Sequence, residues 1–188
     1  MNLTKSAGML FSLLCCGVVL STHVHAESRE VSAGPLKLQV PSEWKQRQPS
    51  SNLRLAEFAI PAKEEGAEAA ELSVFGPFGG SVEANVGRWV NQFDAEGRKV
   101  EMVQGTGTQG KYVLVNISGT FKKPVGPPIL QKTESTPGQR MLAIMLIVEG
   151  QGNFFLKLTG SDELVTATSD ALRASIGAKA DGEEPYAP

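Results

Sequence analysis

The chain has few of the side chains that most often carry out chemistry. It has 188 residues but only two cysteines and two histidines. All four lie in the first 26 residues: Cys15, Cys16, His23 and His25. If this segment is removed, the chain can form no disulfide, no Ser-His-Asp or Cys-His arrangement, and no zinc site of the usual ligands. The composition therefore argues against the commonest catalytic classes and predicts neither a metal nor a cofactor.

The first 26 residues have the parts of a secretory signal peptide. Lys5 provides the basic start, an apolar run spans residues 7–20, and the small residue Ala26 ends the segment. A lipoprotein signal is the alternative, because Cys15 and Cys16 lie within the apolar run, although neither follows the small residue usual at such sites. We predict cleavage after Ala26 and a periplasmic or secreted protein without a transmembrane anchor.

Charge is slightly acidic overall and uneven along the chain. Residues 57–96 contain eight acidic and two basic side chains, whereas residues 98–140 contain seven basic and two acidic ones. The acidic balance argues against nucleic acid as a partner. If the two segments lie on opposite surfaces, the resulting dipole would steer a charged partner; if they lie together, their charges cancel.

The segment from residue 70 to residue 97 organises the predicted fold. It reads as a buried strand, a glycine-rich turn and an amphipathic helix over residues 81–95, with Ser81 as the N-cap and Gly97 after its end. The apolar side chains of this helix fall within an arc of about 100°, the width of a core-facing stripe. They are Val82, Val86, Trp89, Val90 and Phe93.

The rest of the chain is dominated by strand patterns. Alternating or continuous apolar runs predict one antiparallel sheet of about six or seven strands. These runs are at residues 36–40, 53–60, 70–75, 99–104, 111–121, 141–148 and 154–159. A second helix is predicted over residues 162–175, capped by Ser161. The expected fold class is therefore α+β, with two main helices packed on the sheet.

Three segments have no periodic pattern. We expect residues 27–35 to form a flexible N-terminal arm and residues 179–188 to form a disordered tail, since both have little to bury. A single domain is predicted between them, over residues 36–178. Residues 122–139 contain four prolines and two glycines, which predicts a loop of unusual length, either functional or merely mobile.

Parts of the sequence resemble a known fold. The segment FFLKLTG (residues 154–160) with its following helix, and the earlier Leu38-x-Val40-Pro41-x-x-Trp44, resemble PsbP-like domains, named after an extrinsic subunit of photosystem II. The combination of AELSVFGPFGGSVEANVGRW (residues 70–89) with GNFFLKLTG (residues 152–160) is similar to a family of uncharacterised exported bacterial proteins. The resemblance implies a PsbP-like α/β/α sandwich. It also implies a role in binding or assembly, because PsbP-like members are mostly binding proteins and assembly factors.

Two groups of residues are candidates for contact with a partner or ligand. Asn85, Arg88 and Gln92 line one edge of the helical apolar stripe, where they form either a binding ridge or an ordinary core boundary. Lys122, Lys123 and Lys132 could steer an acidic partner toward the proline-rich segment.

We expect an exported, non-catalytic binding or assembly module that acts through a protein partner in the cell envelope. A periplasmic carrier of a small molecule or lipid is the alternative, and it requires an apolar cavity. A hydrolase using paired carboxylates such as Glu57 and Glu71 is a third and weaker possibility.

Overall fold

A computed structural model describes residues 27–130 and 132–187, so the predicted signal peptide lies outside the described residues. Within these ranges, no helix is long and apolar enough to cross a membrane. The described strands are β1 (Ser28–Ala33), β2 (Leu36–Pro41), β3 (Lys45–Arg47), β4 (Arg54–Ile60), β5 (Ala70–Phe75), β6 (Lys99–Gly107), β7 (Gly110–Pro124), β8 (Thr133–Val148), β9 (Gly152–Ser161) and β10 (Glu184–Pro185). The α-helices are α1 (Val82–Val90) and α2 (Asp162–Ser175), and 3-10 turns lie at Pro128–Leu130 and Ala180–Gly182.

Eight of these strands form one antiparallel sheet in the order β10-β6-β7-β8-β9-β5-β4-β3, while β1 and β2 pair separately as a hairpin. The predicted α+β class with two main helices is confirmed. The sheet has more strands than the six or seven expected, because short strands extend both of its edges. With three residues in β3 and two in β10, neither strand is long enough to show an alternating pattern.

The sheet buries both of its faces. Along β7, Tyr112 and Leu114 point into one core, and Val113 and Val115 point into the other, as the two-residue period of a strand requires. Helix α2 and the β1–β2 hairpin cover the first face, and α1 covers part of the second. The helices therefore lie on opposite sides of the sheet, as in an α/β/α sandwich.

Helix α1 begins where the sequence predicts and ends earlier. The hydroxyl of Ser81 accepts a hydrogen bond from the first turn, which makes it the N-cap. The prediction of a helix over residues 81–95 is wrong beyond Val90. There the guanidinium of Arg98 donates to the backbone oxygens of Val90 at 3.1 Å and Phe93 at 3.3 Å. These bonds satisfy carbonyls that a continuing helix would otherwise satisfy.

The prediction of a flexible arm over residues 27–35 is also wrong. Strand β1 pairs in register with β2 along its whole length. Its residues Val31 and Ala33 are buried in the core, and Arg29 donates to the backbone oxygen of Trp44 at 3.1 Å. Two apolar side chains at alternate positions are enough to bury one face of a hairpin, although they are too few to stand out in the sequence.

The prediction of a disordered tail over residues 179–188 fails for the part that the structure describes. Strand β10 pairs with β6, and the Tyr186 amide donates to the Met102 oxygen at 3.0 Å. Arg173 binds the carboxylate of Glu183 through two hydrogen bonds of 2.8 and 2.9 Å, and the Tyr112 hydroxyl donates to the same carboxylate at 2.8 Å. The acidic composition of the tail gives no sign of this anchor, because the partners of Glu183 lie 10 and 71 residues earlier in the chain and follow no local pattern.

The long loop predicted over residues 122–139 is mostly a hairpin. Strand β7 continues to Pro124 and β8 starts at Thr133, so that residues 121–124 pair with residues 133–136. We call residues 121–136 the arm. Proline is tolerated in it because, apart from a bridge between Phe93 and Phe121 at its base, neither strand pairs with a third strand there. The connection at its tip is only residues 125–132.

We expect the Glu183→Ala variant to lose about 3 kcal/mol of unfolding free energy, because it leaves the largely buried guanidinium of Arg173 without its carboxylate. The exposed neighbour Glu184 serves as the control, and Glu184→Ala should change stability by less than about 0.5 kcal/mol. Urea unfolding measures both. Equal losses in the two variants would contradict the anchoring role of Glu183.

Candidate functional site

One face of the sheet changes from apolar to polar between β8 and β3. Helix α1 packs on apolar side chains of β7, β8 and β9. On the same face, neighbouring strands bring polar side chains into register across the sheet: Arg47, Glu57, Ser73 and Lys157. Lys157 therefore lies at the border between the core under α1 and the polar part of the face.

Arg54 holds two carboxylates at this polar part. It donates to Glu71 at 3.0 Å and to the buried Glu57, which also accepts from the Ser50 hydroxyl at 3.1 Å. Burial raises the pKa of Glu71, but hydrogen bonds from Arg54 and Ser73 outweigh it, so the pKa lies below its ordinary value. The two carboxylates do converge, but Arg54 bridges them and Glu71 is a poor proton donor.

Lys157 carries a largely buried ammonium whose hydrogen bond goes to a neutral group. Its Nζ donates to the side-chain oxygen of Gln92 at 2.9 Å. Burial lowers the pKa of Lys157 to about 8; the positive charge of Arg54 acts in the same direction, and Glu71 opposes both. Lys157 is thus charged at neutral pH at a cost in free energy, and an anion beside it would remove part of that cost.

Two clefts meet at Gln92 and Lys157. The first, which we call the aromatic cleft, has a volume of about 240 Å³ and is lined by Phe75, Phe78, Asn85, Arg88, Trp89 and Phe155 together with the two shared residues. The second, the cationic cleft, has a volume of about 490 Å³. Its charged side chains are Arg47, Arg54, Lys123, Arg140, Glu68 and Glu71, with Lys157 between the clefts.

The aromatic cleft has a packed floor and a polar rim. Phe155 stacks on Phe78 with ring centroids 6.0 Å apart and meets the edge of Trp89 at 5.9 Å. Trp89 is only 9% exposed, which agrees with its predicted place in the core. Phe78 is 37% exposed, so this floor presents aromatic surface to solvent.

The three helical candidates lie together at the aromatic cleft. Asn85 is buried and donates to the Ser81 oxygen at 2.9 Å, while its own side-chain oxygen accepts from the guanidinium of Arg88. Gln92 donates to the Arg88 backbone oxygen at 3.2 Å. Asn85 thereby positions Arg88, which is exposed at the rim.

The three lysine candidates do not form one group. Lys123 lines the cationic cleft and lies 3.3 Å from Glu68. The backbone of Lys122 donates to the Gln92 oxygen at 2.8 Å, and Lys132 is exposed near the tip of the arm. The pair of Lys123 and Glu68 joins the basic and acidic segments of the chain, so the two segments meet at this cleft.

Sequence reasoning did not identify Lys157, Arg54 or Arg140 as parts of this site. Lys157 is nevertheless visible in the sequence, because it is the one charged residue in the apolar run of β9. Arg140, which donates to Asp162 at 2.7 Å and to Asn116 at 2.6 Å, reaches the cleft only through the pairing of β8 with its neighbours. That pairing order is not readable from the sequence.

Comparisons with known proteins find similarity in structure but not in sequence. No protein-family model matches the chain, and no curated protein matches it significantly. Among solved structures, the chain is similar to the solution structure of cyanobacterial PsbP (CyanoP) from Synechocystis, with 12% identity, a TM-score of 0.47, and coverage of 93% of this chain and 99% of that chain.

We expect the stability of the wild type to rise relative to a Lys157→Met variant as the pH increases from 8 to 10.5. Over this window the unfolded chain keeps the Lys157 proton and the folded chain loses it, so unfolding takes up a proton and its free energy increases. The rise should be about 3 kcal/mol in full, from the size of the pKa difference.

Urea titrations at pH 7, 8, 9 and 10 measure this difference. A Lys132→Met variant, which removes an exposed lysine, should track the wild type at every pH. A difference between the wild type and Lys157→Met that stays constant with pH would contradict the lowered pKa.

Proposed function

We propose that this protein is an exported, non-catalytic binding or assembly module that acts through a protein partner. The observation that carries the proposal is the arm. Its strands leave the sheet as a two-stranded hairpin, and the tip exposes two large apolar side chains, Ile129 by 88% and Leu130 by 55%. Exposure of such side chains to water is unfavourable, and their burial in a partner lowers the free energy of the complex.

The geometry of the arm suits insertion into a partner. Four residue pairs extend it from the sheet by about 13 Å at the usual rise of a strand. Its base is held by an isolated bridge between Phe93 and Phe121 and by the bond from the Lys122 amide to the Gln92 oxygen. An ordered base lowers the entropic cost of binding at the tip.

Charge on the arm favours an acidic partner. Residues 121–136 contain three basic side chains, Lys122, Lys123 and Lys132, and one acidic side chain, Glu134. Positive charge around an apolar tip speeds encounter with a negatively charged surface and discriminates against basic ones. We therefore expect the partner to offer an apolar pocket bordered by carboxylates.

A non-catalytic role is supported by the state of the one carboxylate pair that the sequence singles out. Both Glu57 and Glu71 accept hydrogen bonds from Arg54. In a pair that cleaves glycosidic bonds, the general acid keeps its proton through a raised pKa, and Glu71, whose pKa is lowered, does not fit that role. This arrangement is that of a structural ion-pair network.

Export is testable by intact mass. We expect the chain recovered from the periplasm or the medium to begin at Glu27, because cleavage after Ala26 fits the signal-peptide pattern. A mass that includes diacylglycerol on Cys15 or Cys16 would instead establish a lipoprotein. Retention of the whole chain in the cytoplasm would contradict export.

The partner contact is testable with a photocrosslinking amino acid placed at Ile129. We expect it to capture a specific envelope protein, and the purified partner to bind an Ile129→Ser/Leu130→Ser variant at least about thirtyfold more weakly, as expected for the loss of interface hot-spot side chains. A calorimetric titration measures this affinity. The variant should fold normally, because both side chains are exposed.

Leu53 provides the matched control. It is also a large apolar residue, 61% exposed, and it lies outside the arm. A Leu53→Ser variant should bind the partner with unchanged affinity, and a crosslinker at Leu53 should not capture it. Equal capture from both positions, or an undiminished affinity of the arm variant, would overturn the proposal.

A further inference from the structure

The aromatic and cationic clefts adjoin, because Gln92 and Lys157 line both, and together they make up one candidate site. The guanidinium of Arg54 extends the connection, since it lies 5.5 Å from the ring centroid of Phe75. One side of the site is thus aromatic and the other basic. A volume of about 240 Å³ on the aromatic side corresponds to about eight water volumes, enough for one ring or a short branched chain.

The charges on the basic side are not evenly matched. Arg54 is neutralised by carboxylates, Lys123 lies beside Glu68, and Arg140 beside Asp162. Lys157 has no such partner within salt-bridge distance among the described residues, and its hydrogen bond goes to the amide oxygen of Gln92. A buried ammonium without an anion in contact is costly, and an acidic ligand group would relieve that cost.

Donors for such a group are in place. An ammonium has three N–H donors and a guanidinium has five. Lys157 donates one hydrogen bond to Gln92, and Arg88 donates to Asn85 through its Nη2. Each side chain therefore has further donors for a ligand. Both side chains line the aromatic cleft. An anion between them would receive charge-assisted hydrogen bonds while its apolar part lies on Phe78 and Phe155.

We propose that this joined cleft binds a small amphiphilic anion, namely an aromatic or short apolar group that carries a carboxylate or phosphate. Lys157 and Arg88 bind the acidic group, and the aromatic floor binds the apolar part. The site lies on the body of the domain, and its lining does not include Ile129 or Leu130 at the tip of the arm.

Binding of 3-phenylpropionate, followed by chemical-shift changes in NMR titrations, tests the proposal. We expect a Kd of about 1 mM or tighter for a ligand of this size, and binding at least about tenfold weaker for the neutral 3-phenylpropanamide. Shifts should concentrate at Phe78, Trp89 and Phe155. Equal binding of the acid and the amide would overturn the proposed role of the two cations.

Two variants separate the cations of the site from general charge. Arg88→Met and Lys157→Met should each weaken 3-phenylpropionate binding at least about tenfold, while Lys132→Met, outside both clefts, should leave it unchanged. Arg88 is exposed, so its variant keeps the test valid even if Lys157→Met fails to fold. Unchanged affinity in Arg88→Met would contradict the proposal.

Proton uptake gives a readout that a purely structural role of Lys157 would not produce. An anion beside Lys157 raises its pKa above about 8, so binding at pH 8 should take up a fraction of a proton. Calorimetry in two buffers of different ionisation enthalpy detects this uptake. It should disappear at pH 6 and in Lys157→Met; uptake that persists in that variant would contradict the assignment.

The acidic amphiphile could be a free molecule or part of a lipid surface, and vesicles distinguish the two. Binding to phosphatidylglycerol vesicles but not to phosphatidylcholine vesicles, with loss in Arg88→Met, would support the lipid source. Binding of 3-phenylpropionate without vesicle binding would support a free acid. Binding of neither probe would overturn the proposal.

Discussion

The fold depends on three neighbouring strands that are apolar on both faces. In β7, β8 and β9, successive side chains enter opposite cores, so these strands must be covered on each side. Helix α2 with the β1–β2 hairpin supplies one cover and α1 the other. The second cover is incomplete, because α1 has only nine residues while the sheet has eight strands. The polar part of the sheet, and with it the candidate site, is a consequence of this short helix.

Much of this architecture can be predicted from the sequence, because it rests on local periodicity. The second helix has its predicted limits, and Ser81 and Ser161 cap the two helices as their hydroxyl groups predict. The predictions that fail concern the two ends of the described chain and the end of helix α1. The strand at residues 28–33, the anchoring of Glu183 by Arg173, and the early end of α1 at Val90 depend on contacts between side chains or strands that lie within about 15 residues of one another but show no helical or strand period.

The site is less predictable than the fold for the same physical reason. The helical ridge of Asn85, Arg88 and Gln92 is visible because one helix provides its spacing. Lys157 and Arg54 join the ridge only through the order β9-β5-β4, which is set by pairing between strands. A charged residue inside an apolar strand, as at Lys157, is the local sign that such an assembly exists. The sequence does not indicate which side chains surround it.

Gln92 belongs to two parts of the molecule at once. Its side chain accepts from Lys157 in the cleft, and its backbone oxygen accepts from the amide of Lys122 at the base of the arm. A partner that tilted the arm would therefore act on the same residue that forms part of the wall of the cleft. If occupation of one surface changed the free energy of binding at the other, linkage would require the reverse effect to be equal.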